Sequence, residues 1–282
     1  MILVVGATGQ LGTAVVCRLA AMGQPVRVLV RHGSRHEHLK AMGAELAFGD
    51  LREADSVDAA CRGARVVVAT ANAIVPEGAS SFEAVEGRGY AALLAACERH
   101  GIEQFVYVAV PVTPHDDRVP AFRYKRLNEQ RLRQSRLAYT VFQASLFMDD
   151  WFAFIGSRIP LRGAAAATIH RRYWFLQTFM KGVGGLIDKH GIALIPGSPR
   201  VRHAFIALDD VAEFMVRAIG RDEMRRTVVQ IGGPQILTWG QVVACYSAVL
   251  GKPVSMLELL HALERIQHRG APAAAVPTRG RS

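Results

Sequence analysis

Three glycines at three-residue spacing, Gly6, Gly9 and Gly12, follow the short apolar run Ile2–Val5 near the start of this 282-residue chain. The run suits a short buried strand, and Leu11 to Met22 has the periodicity of a helix. A strand feeding a helix through a glycine turn aims free backbone N–H groups and the positive end of the helix dipole at one point. The chemistry such a point suits is capture of a pyrophosphate. In Gly6-Ala7-Thr8-Gly9-Gln10-Leu11-Gly12 the first glycine permits the tight turn. The second lets a ligand approach the backbone, and the third lets helix and strand pack closely. Gly6, Thr8, Gly9, Gln10, Leu11 and Gly12 are therefore candidate contacts. The spacing is G-x-x-G-x-x-G, not G-x-G-x-x-G, so the bland reading is a glycine turn without a ligand.

The next strand, Pro25 to Val30, selects the nucleotide. A site for NAD usually ends this strand with Asp or Glu, which accepts from the ribose 2′-OH. Here the strand runs into Arg31-His32-Gly33-Ser34-Arg35. A guanidinium accepts no hydrogen bond, but its fork matches a phosphate. Arg31 thus predicts NADP(H) in preference to NAD(H), against the alternative of a solvated basic turn.

The elements that must position these residues alternate along the chain. Strands are expected at Ala44 to Phe48, Arg65 to Ala71, Ile102 to Val110 and Tyr139 to Gln143. Helices are expected at Ser56 to Arg62, Ser81 to His100 and Arg123 to Ser135. That rhythm predicts an α/β fold, a doubly wound parallel sheet with helices on both faces. Ligands in such sheets lie beyond the carboxyl ends of the strands. Asp50, Leu51, Ala69, Thr70 and Gln143 stand at such ends and join the cofactor-binding candidates; the stretches 69–72, 109–112 and 143–147 also lie where a ligand is expected. The expected organisation is a nucleotide-binding domain at 1–150 and a small α/β substrate lobe or lid at 151–267 that completes the same fold. A disordered Ala/Pro/Arg-rich tail is expected at 268–282. Asp209 is expected to cap the helix that follows it.

Composition removes several function classes. Half of the residues are hydrophobic, so the chain is not chiefly disordered. No uninterrupted apolar run reaches the roughly 18 residues of a spanning helix. The first residues lack a signal peptide's basic lead, and a cytoplasmic location is expected. Cys17, Cys61, Cys97 and Cys245 are scattered without a C-x-x-C pair, which predicts buried free thiols and no metal site. The net charge of +10 is dispersed and accompanies no nucleic-acid module, so nucleic-acid binding is not expected. The aromatic and basic stretch from Trp151 to Lys181 reads either as a lid with solvated arginines or as a surface that docks on a protein or a membrane interface.

Gly6-Ala7-Thr8-Gly9-Gln10-Leu11-Gly12, Arg31, Gly49-Asp50-Leu51, Phe105-Val106-Tyr107-Val108, Tyr124-Lys125 with Glu129 and Leu132, and Asp209-Asp210-Val211-Ala212 occur in this order. The ordered set resembles an atypical short-chain dehydrogenase/reductase of the NmrA-like and isoflavone-reductase-like kind, over about residues 1–260. The resemblance implies a Rossmann-type NAD(P)-binding domain, with Asp50 near the adenine and Lys125 reaching the nicotinamide ribose. It also implies Lys125 as the candidate catalytic acid/base. Two departures stand out. Ala121 occupies the place of the tyrosine in Tyr-x-x-x-Lys, and Ala109 replaces the serine often found at the end of strand five. Tyr124, adjacent to Lys125, points about 100° away on a helix.

The expected function is therefore hydride transfer from NADP(H) to a small organic substrate, with Lys125 or water completing proton transfer. The alternative is a non-catalytic NAD(P)H-binding scaffold, assembly factor or redox sensor that docks a protein complex or membrane through 151–181.

Overall fold

The computed structural model describes residues 1–73, 80–114, 116–158 and 174–259. The expected tail at 268–282, and the part of the aromatic and basic stretch from 159 to 173, lie outside the described residues. Those described residues form two compact units. One comprises 1–149 with 204–235, the other 150–158 with 174–203 and 236–259.

The first unit alternates as the sequence predicts. In chain order it holds β1 (Ile2–Val5), α1 (Gln10–Ala21), β2 (Val26–Val30), α2 (Glu37–Ala41), β3 (Glu45–Phe48), α3 (Ala54–Cys61) and β4 (Val66–Ala69). Next come α4 (Tyr90–Arg99), β5 (Gln104–Ala109), α5 (Pro120–Gln134) and β6 (Tyr139–Ala144). α6 (Met148–Phe154) starts at its end. The sheet has seven strands in the order β3-β2-β1-β4-β5-β6-β9, all parallel. Its last strand, β9, is Thr227–Ile231, from the region assigned by sequence to the lobe. The order reverses between β1 and β4, and in a doubly wound sheet ligands bind at that switch.

Alternation places side chains on two faces. Val4, Val28, Val68, Val106 and Phe142 pack beneath α1 and α8 (Leu208–Arg217), whereas Leu3, Leu29, Val67, Phe105 and Val141 pack beneath α3 and α4. Strands buried on both sides read as unbroken Val/Ile/Leu runs, as β1 and β4 do.

Three local expectations are corrected. The helix predicted from Ser81 is wound as a π turn over Glu83–Gly89 before α4 begins. Asp209 does not cap α8: the Leu208 amide donates to Asp149 Oδ2 at 2.7 Å, and Asp209 pairs with Arg18 of α1. A capping carboxylate can come from anywhere in the fold, and a contact-free sequence cannot show which one arrives. All four cysteines are free, but only Cys61 and Cys97 are buried; Cys17 and Cys245 are exposed.

The second unit contains α7 (Trp174–Val183), β7 (Ile192–Ile195), β8 (Arg202–His203), β10 (Leu237–Thr238), α9 (Trp239–Leu250) and β11 (Ser255–Glu258). β7 pairs in parallel with β11 and β8 antiparallel with β10. Thr238 and Gln241 cap α9 reciprocally, side chain to backbone in both directions. No described helix is long and apolar enough to cross a membrane.

Candidate functional site

The glycine turn joins β1 to α1 at the switch point. Gly6 sits at φ +91°, and a Cβ there would fall 2.5 Å from the Ala71 amide nitrogen. A Cβ on Gly12 would lie 2.2 Å from the Gly6 carbonyl oxygen and 2.7 Å from Ala7 Cα. The backbone of the turn therefore touches both the strand-four loop and its own helix, and only hydrogen fits. The Gly9 amide closes the turn onto the Gly6 carbonyl at 3.0 Å. Thr70 braces it from β4, its amide and hydroxyl donating to the Val5 carbonyl at 2.8 and 3.2 Å.

α1 opens with Gly9 as N-cap, without a side-chain cap and without an acid in its first turn. No acid of the helix's own first turn opposes an anion at these amides, a condition that favours accepting one. A cradle that a Cβ would fill, at an uncapped helix start, fits a dinucleotide diphosphate. Leu11 and Ala69 are 7% and 0% exposed, their side chains in the core, so what they can offer a ligand is backbone. Leu51 is likewise buried.

At the end of β2, Arg31 is exposed, its carbonyl accepting from the Ser34 amide and hydroxyl at 3.1 and 2.7 Å. Phe48, at the end of β3, stacks on His32 with centroids 5.0 Å apart. Asp50 accepts from Arg52 through both carboxylate oxygens, at 2.9 and 2.7 Å, and from the Arg52 amide at 2.9 Å. The Arg52 guanidinium, its amide and the charge of Arg31 outweigh burial and hold the Asp50 carboxyl below its ordinary range. Arg31 and Asp50 thus belong to one electrostatic neighbourhood.

α5 turns Lys125, Asn128, Glu129 and Leu132 inward. Lys125 is 5% exposed, its Nζ 3.4 Å from Glu86 Oε1 and 4.9 Å from the centroid of the Tyr107 ring. Burial alone would push its proton affinity down, but Glu86 and Tyr107 outweigh it and raise it. Tyr124 points elsewhere, donating to the Glu83 carboxylate. Tyr107 does not replace the absent tyrosine as an acid, because burial holds its phenol up at about 12. Glu86 was not a sequence candidate. An acid in the amphipathic pattern of 81–100 reads as solvated, although Glu86 shares the buried face of Tyr90, Leu93 and Cys97.

Gln143 is turned into a polar network: its amide donates to both Glu129 oxygens at 3.1 and 3.0 Å and its carbonyl accepts from Gln230 at 3.3 Å. Glu129 in turn accepts from Arg126 at 2.7 Å, and Arg126 donates to the Val110 carbonyl beyond β5. In the second unit, Trp151 packs on Trp239 at 6.1 Å, Phe152 on Tyr246 at 6.0 Å and Phe154 on Phe179 at 6.3 Å. Among the described residues no His/Cys/Asp/Glu cluster could hold a metal.

Comparison with known proteins agrees with this architecture. Over 255 residues the chain is 29% identical to the NAD(P)H azoreductase of Xenophilus azovorans, spanning 90% of this chain and 75% of that one. It is 35% identical over 142 residues to the photosystem II assembly factor Ycf39 of Cyanophora paradoxa, half of this chain and only 44% of that protein. The fold is shared with the Citrobacter sp. triphenylmethane reductase complexed with NADP(H), at TM-score 0.70 and 17% identity over 96% of this chain and 84% of that one. It is also shared with the NADPH-dependent quinone oxidoreductase of Escherichia coli complexed with NADPH, at TM-score 0.69 and 19% identity over the same shares. The NmrA-like family matches residues 1–263, and the chain belongs to that family.

Proposed function

We propose that this protein is an NADP(H)-dependent reductase whose electron acceptor is a small, extensively conjugated organic molecule. The observation that carries the reading is the uncapped glycine cradle at the sheet's switch point, with Arg31 at the end of the neighbouring strand. Backbone amides at the start of α1 would hold the diphosphate, and Arg31 would take the 2′-phosphate through its fork. Asp50, Leu51, Ala69 and Thr70 would line the adenosine half, and Lys125 the nicotinamide ribose.

Bound reduced coenzyme supplies a hydride. The residues of this chain then determine which acceptors it suits. Ala109 and Ala121 stand where reductases of the wider superfamily keep hydroxyl donors. A simple ketone needs an acid as its oxygen gains charge. A quinone, azo compound or cationic dye spreads that charge over rings or is neutralised by the hydride, so the absence of Ser and Tyr costs little. The azoreductase named above, and the reductases that share the fold, point the same way.

The test is calorimetric titration with NADPH and NADH, followed by NADPH oxidation against quinones, azo dyes, cationic dyes and simple ketones. NADPH is expected to bind at least tenfold tighter, about 1.4 kcal/mol, and Arg31→Ala to remove that margin. Equal affinities, or turnover confined to ketones, would overturn the proposal. A second reading, a non-catalytic coenzyme-responsive assembly factor, is favoured by the same two alanines and by the similarity to Ycf39. Tight NADPH binding with no turnover on any acceptor would select it.

A further inference from the structure

The π turn at Glu83–Gly89 does something the coenzyme reading does not require. A turn wound i→i+5 leaves carbonyls to be satisfied from outside, and such turns cluster at functional sites. Here α5 satisfies them: Asn128 donates to the Glu86 carbonyl at 3.0 Å and Arg131 to the Gly87 carbonyl at 2.7 Å. The turn is therefore anchored through its backbone, and the Glu86 carboxylate is not used to hold it.

That carboxylate is 1% exposed and points inward. Oε1 lies 3.4 Å from Lys125 Nζ, and Oε2 is buried without a hydrogen-bond partner among the described residues. Among the described residues, the walls around the pair carry no further charge. Tyr107 from β5 and Tyr90 from α4 present their rings to the ammonium at 4.9 and 5.9 Å. Burial keeps both phenols protonated, Tyr90 well above its ordinary value and Tyr107 at about 12. Asn128, from α5 itself, is neutral. Among the described residues Lys125 thus has one counter-charge, and two ring faces that favour a cation over a neutral amine. Without that counter-charge, burial would be opposed by the tyrosine contacts alone, and the proton affinity of the amine would fall.

We infer that Glu86 is a positioning residue that fixes Lys125 as a permanent ammonium, a charge anchor and donor toward the ribose rather than a group that exchanges protons during turnover. The ribose part rests on the coenzyme reading; the ion-pair part stands without it.

Competitive amine acylation read by mass spectrometry tests the inference between pH 7 and 11, with exposed Lys40 as internal standard. In the unaltered protein Lys125 is expected to label with a midpoint above that of Lys40. In Glu86→Gln its labelling at pH 8 should rise at least tenfold relative to Lys40, and Glu86→Asp should restore the original profile. A Lys125 midpoint below pH 9 in the unaltered protein would overturn the inference, and this arm needs no variant to fold. Unchanged labelling in a Glu86→Gln protein that melts cooperatively would overturn it equally. NADPH affinity forms the second arm: flat from pH 7 to 9 in the unaltered protein, at least tenfold weaker at pH 9 than at pH 7 in Glu86→Gln. Failure of NADPH to bind at all would remove the coenzyme reading and leave the labelling result to decide the ion pair.

Discussion

Replacing Gly12 by alanine sets two physical effects of opposite sign against each other. Gly12 is the third residue of α1, and alanine in a helix is favoured over glycine by about 1 kcal/mol. On propensity alone the variant would be more stable. The structure gives the opposite answer, because the new Cβ falls 2.2 Å from the Gly6 carbonyl oxygen and 2.7 Å from Ala7 Cα. Both are backbone atoms, with no flexible side chain to yield. Relief requires the Gly6 carbonyl to move by about 1 Å, against its bond from the Gly9 amide at 3.0 Å. Overpacking of this kind costs about 3 kcal/mol at the upper end of its range. The net loss is then about 2 kcal/mol, or roughly 4–8 °C in melting temperature for a domain of this size. Because the displaced carbonyl belongs to the cradle, NADPH affinity should fall at least tenfold. Gly23→Ala is the control: unlike Gly12 it has positive φ, +66°, and its added Cβ meets nothing within 4 Å. It should lose about 1 kcal/mol to strain and keep its coenzyme affinity. Differential scanning calorimetry and isothermal titration read both quantities. A Gly12→Ala protein that melts above the parent, or binds NADPH as tightly, would refute the close-packing argument.

Two further outcomes follow from buried polar groups. Gln104 is 3% exposed; its amide donates to Thr140 Oγ1 and the Ala218 carbonyl at 3.0 and 2.9 Å, and its carbonyl accepts from the Gly220 amide at 2.8 Å. Gln104→Leu fills the space but orphans those backbone groups, and should cost about 1–3 kcal/mol in urea unfolding. Asp50→Asn should lower stability in a pH-dependent way. The folded-state affinity of Asp50 for a proton is depressed chiefly by Arg52, so its contribution is full above the unfolded value near 3.9 and is lost as pH falls through the folded one. Denaturation midpoints of parent and variant should differ at pH 7 and 5, and the difference should shrink as pH falls below about 4; a difference that grows on acidification would contradict the sign.

What sequence reading could see was local chemistry. The β1 run, the glycine spacing and the arginine ending β2 are all encoded within 31 residues, and each lies where the reading put it. What it could not see depended on partners far along the chain. Nothing in Thr227–Ile231 says that it pairs with β6. Asp149 caps a helix 59 residues downstream, and Asp209, the expected cap, is drawn to Arg18. The π turn was invisible because an amphipathic repeat over 81–100 fits either winding, and with it the pairing of Glu86 to Lys125. Gln143 was rightly placed at a strand end, but its side-chain partners, Glu129 and Gln230, come from a helix and from the late strand.

The late arrival of β9 also has a consequence for how the chain is made. Until Thr227–Ile231 emerge from the ribosome, β6 is the sheet's last strand, and it is buried along its whole length in the finished protein. At about 5–20 residues per second, the roughly 90 residues that follow β6 take about 5–18 s to synthesise. For that interval a nascent chain carries a bare, apolar edge able to recruit any other unfinished strand.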